Sequence, residues 1–239
     1  MWDAEKSAPF RHPPPMARMC LNDHSDRGLG WVNPMAIEDR TQSTHREIFT
    51  IGHSNHPIEK FLCLLTQHAI SVLIDARSHP YSRYVPHFDR ELLESSVESH
   101  GIRYLYMGDE LGGRPPEAEY YDAEGRVLYY RVAESERFKG GISRLLKGSL
   151  EFRIAVLCSE EDPTSCHRRL LVSKVLTENG ISVQHIRGTG ALQPEAEIDS
   201  AAATPQLEMF EMSNQDRLSE WKSIQSVLRR DRQEISSRR

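Results

Sequence analysis

Residues 152–186 read FRIAVLCSEEDPTSCHRRLLVSKVLTENGISVQHI, and this stretch decides the fold class. Phe152 to Leu157 form a nearly continuous apolar run, which is typical of a strand covered on both faces. A helix is predicted from about Cys166 to Asn179, closed by Gly180, and a further strand at Ile181 to Ile186. A strand, a helix and a second strand of these lengths predict parallel strands joined by a right-handed crossover.

The same alternation runs upstream. Strands are predicted at Ile48 to Ile51, at Val72 to Ile74 and at Ile102 to Tyr106, with apolar residues at helical spacing between them. The sequence therefore predicts an α/β fold with a three-layer, open, mainly parallel sheet of about five strands, Rossmann-like in type, with flexible N- and C-terminal tails.

Three regions are expected along the chain. Residues 1–46 contain three consecutive prolines and no sustained period, so a disordered or extended segment is expected, and Met35 is a candidate alternative start. Residues 47–190 are the α/β domain. Residues 191–239 are expected to form a polar tail with a short amphipathic helix near Leu218 to Leu228.

Composition narrows the classes of function. The net charge of −5 argues against a chain dominated by binding to nucleic-acid phosphates. No apolar run approaches the roughly 20 residues that span a bilayer, and no signal peptide is visible. A cytoplasmic protein without a membrane partner is expected. Its oligomeric state is left open.

Polar residues follow four of the predicted strands at the point where each strand ends. In parallel sheets, ligands bind beyond these carboxyl ends, so one shared site is expected. The candidate site residues are His53, Asp75, Arg77, Gly112, Gly113, Cys158, Glu160, His167 and Arg168.

Cys158 is the candidate nucleophile or redox centre, with His53 or His167 moving protons. Arg77 and Arg168 can bind an anion, and the remaining candidates are expected to contact substrate. Simpler interpretations remain: Cys158 is a small buried residue, Cys166 a packing residue, and Arg77 half of a structural ion pair. The other histidines, His185 among them, are interpreted as ordinary surface or loop residues.

A metal site is the competing interpretation. Cys158, Cys166 and His167, with His53 or His79, offer soft ligands for zinc or iron. However, adjacent residues on a helix point about 100° apart, which disfavours joint ligation by Cys166 and His167. No cofactor and no metal ligand is therefore predicted.

Four strings carry a family resemblance: TIGHSN at 50–55, IDARSHPYSR at 74–83, LGG at 111–113 and CSEEDPTSCHR at 158–168. In this order they resemble the bacterial and archaeal family named domain of unknown function 488, over roughly residues 47–187. The resemblance implies the fold, the site position and a bacterial source, but no activity. The Asp75 and Cys158 strands also resemble those of rhodanese-like sulfurtransferases, although the loop after Cys158 departs from the compact rhodanese loop.

The sequence leaves two classes of function open. One is an enzyme acting on a small or nucleic-acid-derived anionic substrate. The other is a non-catalytic module that binds a nucleotide or nucleic acid. Gln206, Leu207, Met209 and Phe210 belong to a QLEMF string that resembles the peptide with which bacterial proteins dock on the replication sliding clamp. The same apolar residues can instead fold back on the domain.

Overall fold

The computed structural model describes residues 46–202 and 221–227, and these form an α/β domain around one six-stranded sheet. The strand order is 3-2-4-1-5-6, and all neighbours are parallel except β6, which runs antiparallel to β5. The strands are β1 (Glu47–Gly52), β2 (Val72–Asp75), β3 (Arg103–Tyr106), β4 (Ile154–Cys158), β5 (Ser182–Ile186) and β6 (Leu192–Pro194). The predicted α/β class and mainly parallel sheet are confirmed.

Helices cover both faces of the sheet, which gives three layers. They are α1 (Ile58–Gln67), α2 (Arg90–Glu98), α3 (Gly108–Leu111), α4 (Tyr129–Glu134), α5 (Glu136–Gly148), α6 (Lys174–Glu178) and α7 (Glu195–Ala202). Helices α1 and α2 pack on the face that carries Phe49 and Leu157. Helices α4, α5 and α6 pack on the opposite face, which carries Ile48 and Val156. Burial of apolar side chains on both faces explains why the central strands are continuously hydrophobic.

The sixth strand lies beyond the predicted domain boundary at residue 190. β6 is short and ends in proline, so no apolar run marks it in the sequence. Helix α7 follows directly, and its first residue, Glu195, is buried. The folded region therefore extends past the predicted start of the polar tail.

The C-terminal segment 221–227 contacts the domain without forming a helix. The indole nitrogen of Trp221 donates to the Leu170 carbonyl at 2.6 Å, and the backbone nitrogen of Ser223 donates to Val127 at 2.9 Å. The predicted amphipathic helix near Leu218 to Leu228 is wrong for this part, because backbone groups that a helix would use pair with Val127 and Leu128 instead. Residues 1–45 and the clamp-like residues 206–210 lie outside the described residues.

No helix in the described parts of the chain is long and apolar enough to cross a membrane.

Candidate active site

Three neighbouring strands bring their carboxyl ends together. β4 lies between β1 and β2, and backbone hydrogen bonds continue the sheet into the loops that follow. His53 N donates to Cys158 O at 3.1 Å, and Ala76 N donates to Leu157 O at 3.1 Å. His53, Arg77 and Cys158 therefore stand at one edge of the sheet, the edge at which the sequence predicted a shared site.

Cys158 and His167 form the central contact. The Cys158 Sγ lies 3.3 Å from His167 Nδ1. The other ring nitrogen, Nε2, donates to the Ala76 carbonyl at 3.1 Å. This hydrogen bond fixes the ring orientation and leaves Nδ1 facing the thiol. The arrangement is that of a nucleophile, a base and a group that orients the base.

The local backbone explains how Cys166 joins them. The sequence predicted a helix from about Cys166, but Cys166 is extended, with φ −103° and ψ 143°, after a 3-10 turn at Pro163–Ser165. The Cys166 carbonyl accepts from the backbone nitrogens of Arg169 and Leu170 at 3.0 Å, so Cys166 stands at the very start of the helix, ahead of the π-helical segment Arg168–Ser173. The side chains of Cys166 and His167 consequently converge, and their Sγ and Nδ1 atoms are 3.9 Å apart.

Electrostatics favour a charged pair at this contact. The hydrogen bond from Cys166 and the charges of His167 and Arg168 hold the pKa of Cys158 well below its usual range, against the opposing effect of burial. Burial and the adjacent Cys158 thiolate raise the pKa of Cys166, which keeps its proton. Burial lowers the pKa of His167, but the Cys158 thiolate outweighs it and the net shift is upward. The geometry thus supports a thiolate beside an imidazolium.

Asp75 and Arg77, both predicted to contact substrate, form a buried ion pair with each other. Arg77 Nε donates to Asp75 Oδ1 at 2.9 Å and Nη2 to Oδ2 at 2.6 Å. The Tyr104 hydroxyl also donates to Oδ2, at 2.6 Å. Asp75 is fully buried with both oxygens engaged, so its role is to orient Arg77. A guanidinium group carries five N–H groups. Arg77 uses two of them for Asp75 and one for His53, which leaves two for a ligand.

His53 is held in the neutral form. Its Nδ1 donates to the Ser54 carbonyl at 2.7 Å, and its Nε2 accepts from Arg77 Nη1 at 3.2 Å. Burial and the Arg77 charge lower the pKa of His53 to about 4. The ring stacks on Phe88 with centroids 4.4 Å apart. His53 therefore positions Arg77 and is poorly suited to the predicted proton-transfer role at neutral pH.

Arg168 and Glu160, both predicted to contact substrate, lie in different surroundings. Arg168 is fully buried, and its guanidinium donates to the backbone carbonyls of Glu160 and Glu161. It holds the loop after Cys158 against Gly52, where an added Cβ would lie 1.8 Å from Glu160 O. The Glu160 residue is exposed, at the rim of the cluster.

The two glycines after α3 pack tightly on the site. A Cβ at Gly113 would lie 2.6 Å from both Cβ and Cγ of His167, so glycine is needed for the close approach. A Cβ at Gly112 would overlap Ser78 Oγ at 2.3 Å. Ser78 Oγ in turn accepts from Arg114 N at 3.0 Å. These glycines shape the wall beside His167.

Two side chains of this region, Tyr104 and Tyr129, were not among the residues predicted from the sequence, and Cys166 was considered there only as a packing residue or a metal ligand. Burial and the charges of Cys166 and Cys158 raise the pKa of Tyr129, and the charge of Arg114 opposes this shift. The pairing of β2 with β3 could have found Tyr104, because Tyr104 lies two residues before Tyr106, the register partner of Asp75, and so shares a face of the sheet with Asp75. Tyr129 follows a long loop and had no such signal.

The site is closed in this conformation. Cys158 is 5% exposed and Cys166 is 2% exposed. A separate surface concavity is lined by Glu119, Tyr120, Arg131, Glu134 and Ser135. None of these residues belongs to the cysteine cluster.

One protein-family model covers most of the residues of this site. Residues 57–175 match the model of the family described as Domain of unknown function DUF488. No curated protein and no solved structure matches the chain. The match includes Arg77, Cys158 and His167 and lies within the span that the sequence strings predicted. The chain therefore contains a DUF488 domain at residues 57–175.

Proposed function

We propose that the protein is an enzyme that attacks a small or nucleic-acid-derived anionic electrophile with the Cys158 thiolate. The observation that carries this proposal is the 3.3 Å contact between Cys158 Sγ and His167 Nδ1, with Nε2 fixed on the Ala76 carbonyl. A buried cysteine kept for packing alone does not require an oriented imidazole beside its sulfur.

The chemistry follows from the two groups. Cys158 Sγ forms a bond to carbon or phosphorus of the substrate, and the bond to the leaving group breaks. The leaving group takes the proton of His167 Nδ1, and the same nitrogen then accepts a proton from the water or second substrate that releases the product. Cys166 stabilises the thiolate through its hydrogen bond.

Anion preference rests on two arginines. Arg77 is held by Asp75 and His53, and two of its side-chain N–H groups remain for a ligand. Arg114 is exposed and directly follows Gly113, which packs against His167, so it lies beside the cysteine cluster. A phosphate or carboxylate near Cys158 would meet these cations.

Two alkylating probes of different charge test the proposal in the reduced, chelator-treated full chain. Neutral iodoacetamide and anionic iodoacetate are compared by mass spectrometry of the Cys158 peptide, with glutathione as the reference thiol. We expect Cys158 to react faster than Cys166, and the ratio of iodoacetate to iodoacetamide rates to exceed that of glutathione. Arg114→Gln should lower this ratio. Slower labelling of Cys158 than of Cys166 would refute a nucleophile.

The Cys158→Ser variant distinguishes the proposed enzyme from the alternative function, a non-catalytic module that binds nucleotides. The enzyme proposal predicts that this variant keeps its fold and binds its ligand but forms no covalent adduct and no product. A binding module would lose nothing measurable.

Some finer features stay predictions from the sequence: the Rossmann-like classification, a cytoplasmic location and a bacterial source. Clamp docking through residues 206–210 belongs with them. Titration of a peptide spanning residues 203–213 against a sliding clamp tests the docking, and Phe210→Ala should abolish binding if it occurs.

A further inference from the structure

Three soft ligand atoms converge at the candidate site. Cys158 Sγ, Cys166 Sγ and one ring nitrogen of His167 lie within 4.8 Å of one another. His167 Nδ1 is 3.3 Å from the first sulfur and 3.9 Å from the second. With Zn–S near 2.3 Å and Zn–N near 2.0 Å, tetrahedral geometry puts such ligand atoms roughly 3.5–3.8 Å apart. The observed separations bracket these values.

The backbone removes the objection raised by the sequence. Joint ligation by Cys166 and His167 is awkward only if both residues lie on a helix. Cys166 is extended, with ψ 143°, and helical backbone begins only at His167, with φ −58° and ψ −28°. Both side chains can therefore face one point together with Cys158, which comes from the end of β4.

The surroundings of the three atoms also resemble those of a metal site. A histidine that binds a metal through one nitrogen usually donates its other N–H to a carboxylate or backbone carbonyl. His167 Nε2 does so to Ala76 O at 3.1 Å. The Arg168 backbone N–H lies 3.4 Å from Cys166 Sγ, where it can donate to a thiolate. The ligand atoms are oriented before any ion arrives.

We propose that Cys158, Cys166 and His167 bind a soft divalent cation, Zn²⁺ above all, with one coordination position left for water or a ligand. Within residues 46–202 and 221–227, the group has no fourth histidine, cysteine or carboxylate. Thiolate and imidazole ligands select Zn²⁺ over Mg²⁺ or Ca²⁺. This goes beyond the proposed function, because a Cys158 sulfur bound to metal is no longer a free nucleophile. A bound metal ion would therefore block nucleophilic attack by Cys158.

Cobalt titration tests the site directly. The full chain is reduced with a phosphine, stripped with a chelator and titrated with Co²⁺. We expect one equivalent to bind, with thiolate-to-cobalt charge transfer in the near ultraviolet and the intense visible bands of tetrahedral cobalt. Cys166→Ala should weaken binding at least about tenfold, since loss of even an outer partner costs roughly 10- to 100-fold. The exposed His79 lies outside the group, so His79→Ala should bind as the wild type does.

A second measurement needs no variant. Zn²⁺ should protect Cys158 and Cys166 of the wild-type protein from iodoacetamide, and a chelator should restore their labelling. Labelling without metal tests the nucleophile, and protection by metal tests the cation site, so the two proposals can fail separately. Absence of charge transfer and of protection in folded, reduced protein would overturn the metal site. Charge transfer that survives Cys166→Ala unchanged would overturn it as well.

Discussion

Two histidines, the half-buried His167 and the buried His185, occupy opposite kinds of polar network. His185 lies on β5 and is fully buried. Its Nδ1 accepts from the Thr50 hydroxyl at 2.7 Å, and its Nε2 donates to Glu195 Oε2 at 2.7 Å. The second oxygen of Glu195 pairs with Arg169 Nε at 2.7 Å. Both ring nitrogens of His185 therefore have strong oxygen partners within the fold.

Among the described residues, one oxygen atom, the Ala76 carbonyl, pairs with the His167 ring. Its Nε2 is fixed on a carbonyl, while its Nδ1 faces two sulfur atoms, which are weak hydrogen-bond partners. Burial lowers the pKa of His185 despite the adjacent Glu195, whereas the Cys158 thiolate raises that of His167. Burial alone therefore does not identify a functional histidine. The distinguishing feature is a ring nitrogen that faces a reactive or metal-binding atom.

The largest expected effect is on the His185 network. Glu195→Ala leaves Arg169 and His185 without their shared carboxylate, and breaking such a buried pair costs roughly 3–5 kcal/mol. Urea denaturation should show this loss, while Cys158 alkylation in the folded variant stays near the wild-type rate. The control is Glu178→Ala, whose partner Lys174 is exposed, and which should cost under about 0.5 kcal/mol. A large fall in Cys158 reactivity in folded Glu195→Ala would mean that the two networks are coupled.

The next effect concerns pH. The pKa of His53 is about 4 in the folded protein against 6.5 as its ordinary value, because burial and Arg77 oppose its charge. Between these values the unfolded chain binds a proton that the native protein does not. Stability from this group is therefore complete above pH 6.5 and falls as the pH drops toward 4, by roughly 3 kcal/mol at about 1.4 kcal/mol per pKa unit.

Replacing His53 isolates this contribution. His53→Gln keeps a hydrogen-bond acceptor for Arg77 but cannot titrate, so its stability should fall less than that of the wild type between pH 7 and pH 4.5. Denaturant unfolding at both pH values measures the difference. Parallel pH dependence in the two proteins would contradict a neutral, buried His53.

A smaller effect separates shape from charge at His167. Gly113→Ala places a Cβ against the His167 ring and should cost about 1–3 kcal/mol, as overpacking does. It should also change the Cys158 alkylation rate by displacing the imidazole. Gly140, inside α5, has no atom within 4 Å of its Cβ position, so Gly140→Ala should gain roughly 0.5–1 kcal/mol. An unchanged alkylation rate in Gly113→Ala would show that the ring position does not control the thiol.

The sheet and the position of the site follow from local patterns. Apolar runs ending in polar residues place Asp75 and Cys158 correctly, because parallel strands share one carboxyl edge. The side chains are harder to assign. The residues next to Arg168 in the sequence do not indicate that its guanidinium donates to two loop carbonyls. His185 looked ordinary because its partner Glu195 lies beyond a strand too short to detect. These outcomes depend on tertiary contacts.

The extended backbone at Cys166 is the clearest example. The sequence pattern predicts a helix from about Cys166, but it does not predict the extended backbone of Cys166 itself, which follows a 3-10 turn. That extended backbone brings Cys166 Sγ within 3.9 Å of His167 Nδ1. Helix boundaries are set by capping and local turns, which propensity resolves only to a residue or two.

The most direct test of the central claim is the pH dependence of Cys158 alkylation by iodoacetamide in reduced, metal-free protein, compared with His167→Gln. We expect the wild-type profile to have an apparent pKa below the ordinary thiol value of about 8.5, and the profile of the variant to be shifted to higher pH. A wild-type profile at or above that value, or one that His167→Gln leaves unchanged, would contradict a thiolate held by His167.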